Sequence, residues 1–86
     1  MREGNTFYLE GNYVKSLEYF DQILQVDPEY IDVLNNKGLA LGKLGRYDEA
    51  ITWYDKALEI EPENIDVLAN KSNAVYELGK LKRQKF

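Results

Sequence analysis

Apolar residues recur along this chain at helical spacing. Between Tyr13 and Val26 they fall at Leu17, Phe20, Ile23 and Leu24, one face of an amphipathic helix. Ile31 to Leu44 carries Leu34, Gly38, Leu41 and Leu44 on one stripe. Tyr47 to Ile60 carries Ala50, Ile51, Tyr54, Ala57 and Leu58, and Ile65 to Leu78 carries Leu68, Val75 and Leu78. A polar opening segment, Met1 to Glu10, has Phe7 and Leu9 as its apolar points and reads as a clipped helix. The punctuation between these segments is regular. Pro28 and Pro62 end their helices, because the residue before a proline is pushed out of the helical region. Gly11, Gly45 and Gly79 stand where helix stops are expected. Links of a few residues force consecutive helices antiparallel. The pattern predicts an all-α chain.

The pattern also repeats. Of the 52 residue pairs that a shift of 34 brings together, 16 are identical, among them Pro28 with Pro62, Tyr13 with Tyr47 and Gly11 with Gly45. Ile31-Asp32-Val33-Leu34 returns unchanged as Ile65-Asp66-Val67-Leu68. A fixed period of this length marks stacked supersecondary units, each burying one face internally and needing a neighbour for the other. The expected division of the single domain is a clipped unit over residues 1–30, a complete one over 31–64, and a truncated unit or capping helix with a basic tail over 65–86. Gly38, Ala50 and Ala57 are small where two helices must approach closely. Val26 with Val33, and Ile60 with Val67, are the apolar pairs expected across the joints. Trp53 and its equivalent Tyr19 are expected to be partly buried on the outer helices.

These residues resemble the tetratricopeptide repeats. The central unit carries the match in Leu34, Gly38, Leu41, Gly45, Tyr47, Ala50, Tyr54, Ala57 and Pro62; the first adds Gly4, Phe7, Gly11, Tyr13, Phe20 and Pro28, and the third Leu68, Val75 and Gly79. Lys37 and Lys71 depart from it, standing where the family usually has leucine, and Ser72 replaces a glycine. The resemblance implies an α-solenoid of antiparallel helix pairs, about two and a half repeats in a right-handed superhelical stack. It also implies that the first helix of each unit lines a concave groove. On that stripe lie Asn5 and Tyr8, then Asn35, Asn36, Leu39 and Lys43, then Asn70, Asn73 and Tyr76. Asparagine amides both donate and accept, so a ladder of them suits an extended peptide backbone; Tyr8, Leu39 and Tyr76 would supply apolar pockets beside it. Some relatives grip a terminal carboxylate with three cations and two asparagines. Those places hold Met1, Asn5, Asn36, Asp66 and Asn70 here, so the cations are missing and that ligand class is disfavoured.

Composition narrows the chemistry further. With no histidine and no cysteine, acid–base or nucleophilic catalysis and a zinc site lack their usual groups, and no enzyme activity, metal or cofactor is expected. The net charge of -4 disfavours a nucleic-acid partner. Its distribution is uneven: residues 1–79 hold 7 basic against 15 acidic groups, and Lys80, Lys82, Arg83 and Lys85 cluster at the end. No apolar run approaches membrane length, and the opening residues carry no leader pattern, so a cytoplasmic location is expected. The leading functional expectation is a non-enzymatic module binding a peptide or protein partner on the concave face. The alternative is a self-associating assembly element or a fragment of a longer array. In the latter reading, an open end on the last helix, with Val75 and Leu78 as its apolar points, gives a weak homo-oligomer.

Overall fold

A computed structural model describes residues 4–84, with side chains from Asn12 onward. Four helices follow one another: α1 (Gly4–Val26), α2 (Ile31–Lys43), α3 (Tyr47–Ile60) and α4 (Ile65–Arg83). The described residues form no strand. Each helix packs on the next in chain order, and α2 also touches α4. This is the nearest-neighbour arrangement of a stacked helical array.

Gly45 makes the central corner. Its φ of 81° lies in the left-handed region open chiefly to glycine. There the Arg46 N–H donates to the Leu41 carbonyl and the Gly45 N–H to the Gly42 carbonyl, both at 2.9 Å, so two carbonyls left over at the end of α2 are satisfied. The corner lets α3 fold back on α2. Leu34 and Leu41 of α2, Ala50, Tyr54 and Ala57 of α3, and Val67 and Ala74 of α4 form the buried core, with Leu17 and Leu24 of α1 against it. The closest approach is at Gly38, where an added Cβ would stand 2.3 Å from Cε1 of the Tyr54 ring. The small residues expected at the contact are therefore where the helices meet.

The other two glycines of the series do not stop their helices. α1 runs unbroken through Gly11, and α4 runs through Gly79 to Arg83, four residues on. The reason is physical: glycine permits a left-handed residue without imposing one, and the corner is favoured only where the chain beyond it docks back. α3 docks on α2; α1 and α4 simply continue their hydrogen-bonded ladders. One expected packing also fails. Val26, the last residue of α1, is 86% exposed, so no Val26–Val33 pair forms. Tyr19 is exposed, whereas Trp53 is half-buried against the core.

The two lysines among the departures from the repeat pattern share a role. Lys37 of α2 reaches Asp21 of α1 at 2.5 Å, and Lys71 of α4 reaches Asp55 of α3 at 2.6 Å. Both partners repeat at a shift of 34, so one ion pair is used twice to tie each helix to the one before it. Lys37 also lies 3.7 Å from the centre of the Trp53 ring, a cation–π contact that packs its stem where a leucine would otherwise sit.

Candidate functional site

Two clefts open beside α2. The first lies between α2, α3 and α4 and is lined by Leu39, Gly42 and Lys43, by Tyr47 and Tyr54, and by Asn70, Asn73 and Ala74. The second lies between α1 and α2 and is lined by Tyr13, Ser16 and Phe20 together with Asn36, Leu39, Ala40 and Lys43. Five of these positions correspond at a shift of 34: Tyr13 with Tyr47, Phe20 with Tyr54, Asn36 with Asn70, Leu39 with Asn73 and Ala40 with Ala74. The clefts are two copies of one feature. Leu39 and Lys43 line both and form the ridge between them.

The copies differ in closure. The first has a volume of about 100 Å³ and the second about 210 Å³. In the first, the third wall is Leu39, Gly42 and Lys43, whose counterparts one repeat earlier are Asn5, Tyr8 and Leu9. Those positions lie in the straight opening turns of α1, and among the described residues nothing supplies the matching wall of the second cleft. Both volumes fall below the several hundred Å³ of a typical small-molecule pocket.

Six of the nine residues predicted for the concave face gather in this region. Leu39, Lys43, Asn70 and Asn73 line the first cleft, and Asn36 lines the second with Leu39 and Lys43. Asn35 lies behind the clefts, where its Oδ1 accepts a hydrogen bond from the Asn70 Nδ2 at 3.0 Å and joins α2 to α4. That bond fixes the side-chain orientation of Asn70 and uses one of its donors. Tyr76 does not join the group: it is exposed outside both clefts, with Lys80 5.3 Å from its ring centre. It stands three residues beyond Asn73, about a sixth of a turn round α4. Asn5 and Tyr8 lie in the first turns of α1, outside the residues whose side chains are described.

The cleft floors were not anticipated. Tyr47 and Tyr54 in one copy, and Tyr13 and Phe20 in the other, supply aromatic surface from the second helix of each pair. Their signal in the sequence is the same 34-residue recurrence that marks the core. Burial raises the Tyr54 hydroxyl from the ordinary tyrosine value to about 12, so it remains protonated at neutral pH. At the start of α3, Arg46 and Glu49 form a two-pronged pair, Nε to Oε2 at 2.9 Å and Nη2 to Oε1 at 2.8 Å. Hydrogen bonding within it raises Arg46 and lowers Glu49. This pair stands outside both clefts.

Among the described residues, no group of three or more His, Cys, Asp or Glu side chains is placed to hold a metal ion. No described helix is long and apolar enough to cross a membrane. The family model for the tetratricopeptide repeat matches residues 31–64, the span of α2, α3 and the turns that flank them. No curated protein matches the chain.

Proposed function

We propose, from the tetratricopeptide-repeat match over residues 31–64, that this chain is a protein-binding module that takes an extended segment of a partner along the face of α2 and α4. The observation that carries the reading is the pair of equivalent clefts sharing the Leu39–Lys43 ridge. Each offers an aromatic floor large enough for a small apolar side chain. Asparagine amides at the rims, Asn36 on one side and Asn70 with Asn73 on the other, match the alternating donors and acceptors of a peptide backbone. Lys43, exposed on the ridge, adds one cation for a carbonyl or carboxylate of the bound segment. Specificity would come from side-chain size, since the amides read the backbone and not the sequence. No catalytic role is part of this reading.

The test is a binding comparison with a partner captured by pulldown and identified by mass spectrometry. Leu39→Lys blocks both clefts at once and should weaken binding about tenfold or more, as loss of a central contact does. Asn73→Ala should weaken it less. Thr52→Lys, on the exposed side of α3, should leave it unchanged. Binding that survives Leu39→Lys and is lost with Thr52→Lys assigns the partner to the outer helices and overturns the proposal.

A further inference from the structure

Two open faces of this chain are the halves of a joint it already makes once. Between α2 and α3, Leu34 and Leu41 are 1% and 2% exposed, and Ala50, Tyr54 and Ala57 are equally closed, with the Tyr54 ring against Gly38. The equivalents of these residues remain open. On α4, Leu68 and Val75 are 42% and 50% exposed and Ser72, in the place of Gly38, is exposed too. On α1, Ser16, Phe20 and Ile23, in the places of Ala50, Tyr54 and Ala57, are only half-buried. Leu78, expected on the open face of α4, is instead half-buried, because it falls on the same side of the helix as Val67.

The same two helices outrun the repeat. α4 continues four residues beyond Gly79, and α1 starts nine residues before Tyr13. In an antiparallel pair built like α2 with α3, those two extensions project from the same end and lie side by side. Within one chain the pairing is not made: α1 packs on α2, and α4 packs on α3 and α2. We infer that α4 of one copy docks on α1 of a second copy, head to tail, remaking the α2–α3 joint between molecules. The ends are also of opposite charge. Residues 12–30 hold one lysine against four acids, and residues 65–83 hold four cations against two acids.

The docking completes the second cleft. Its missing wall corresponds to Leu39, Gly42 and Lys43 in the first cleft, and one repeat further on those positions are Asn73, Tyr76 and Glu77 of α4. The neighbour's α4 therefore supplies the wall, and Asn73 is shared between two clefts as Leu39 already is. Tyr76 acquires a role it lacks in a single chain. A Cβ on Gly42 would lie 3.6 Å from the Tyr47 ring, so the equivalent contact brings Tyr76 of one copy against Tyr13 of the next. The new joint is looser than the internal one. Ser72 is larger than Gly38 and Ile23 larger than Ala57, so the closest approach is obstructed, and the association is weak and concentration-dependent. It stands whether or not the clefts bind a peptide.

Sedimentation of the whole chain from micromolar to millimolar concentration tests the inference. The average mass should rise with concentration beyond a dimer, because head-to-tail contacts leave both ends free. Val75→Lys and Phe20→Lys should each lower the association constant about tenfold or more by placing an unpaired charge in the joint. An equimolar mixture of the two variants should form a dimer and stop there, since one intact α4 face meets one intact α1 face. Thermal melting checks that both variants fold; if Phe20→Lys does not, Ser16→Lys charges the same face. A strict monomer at millimolar concentration overturns the inference. So does a Phe20→Lys variant that associates like the parent, which would mean that α4 pairs with itself, or a mixture that stays monomeric.

Discussion

α2 and α4 open with the same four residues, Ile-Asp-Val-Leu, and present the same series of positions to opposite surroundings. In α2 the series Leu34, Gly38, Leu41 is sealed by α3; in α4 the series Leu68, Ser72, Val75 faces outward. The corner glycine follows suit, turning the chain at Gly45 and lying mid-helix at Gly79. The contrast teaches that burial in a stacked array is decided by the neighbour and not by the helix that carries the residue. It also makes paired substitutions informative, because each position has a control 34 residues away.

The largest contrast is expected at the first leucine. Leu34→Ala should destabilise the fold by about 2–5 kcal/mol, whereas Leu68→Ala, removing side chain already in water, should cost less than about 1 kcal/mol in dilute solution. Urea titrations of the two variants measure the gap, and equal losses would show that α4 is covered in solution. Next is the contact helix. Ala50→Leu forces methylenes into the closest approach and should cost about 1–3 kcal/mol or more, while Ser16→Leu on the open face of α1 should be nearly neutral. A melting temperature unchanged by Ala50→Leu would move the contact elsewhere.

Alkali should act through Tyr54. Its folded value of about 12 lies above the ordinary tyrosine value of 10.0, so the protonated form is favoured by folding. The corresponding stability is fully present below pH 10, and it is lost as pH rises through 12, up to about 2 kcal/mol. Tyr54→Phe should flatten that part of the stability–pH curve, and an unchanged slope would place the alkaline loss on another group. The smallest effect concerns the helix starts. The Asn64 Oδ1 caps α4 by accepting from the Val67 N–H at 3.0 Å, whereas Tyr30 leaves α2 without a side-chain cap. Asn64→Ala should cost about 1 kcal/mol and Tyr30→Asn should add up to about that much. Calorimetric melting of the pair shows whether the cap accounts for the difference.

Much of this architecture was legible because its causes are local. Pro28 and Pro62 exclude helix by backbone sterics alone, and α1 and α3 end two residues before them. The core positions Leu34, Leu41, Ala50, Tyr54 and Ala57 follow from helical periodicity combined with the repeat. What escaped was whatever depends on the presence of a neighbour. Gly11 and Gly79 have the residue type of Gly45 without its docking partner, so they do not stop their helices. Tyr19 has the aromatic character of Trp53 but, among the described residues, no cation over its ring, and it is exposed. The repeated Lys–Asp pairs were present in the sequence at a separation of 16 residues, which no helical periodicity reveals. On the candidate site, the stripe read from periodicity includes Asn36, Leu39, Lys43, Asn70 and Asn73, which line the two clefts. Tyr76, from the same stripe, lies outside both clefts, because a stripe several residues wide does not say which of its edges meets the next helix.

The stacking of Lys37 on Trp53 turns the chain into its own optical reporter. Trp53 is the sole tryptophan, half-buried on α3, and the nearer of the two ammoniums over its ring, that of Lys37, belongs to α2 while the carboxylate holding it belongs to α1. An indole's emission responds to a nearby cation and to the water that replaces it. Lifting α1 away releases Asp21 from Lys37 and alters the field at the ring while the α2–α3 hairpin is still intact. Emission and helical circular dichroism therefore part company when the first helix detaches, and they move together when the hairpin itself melts.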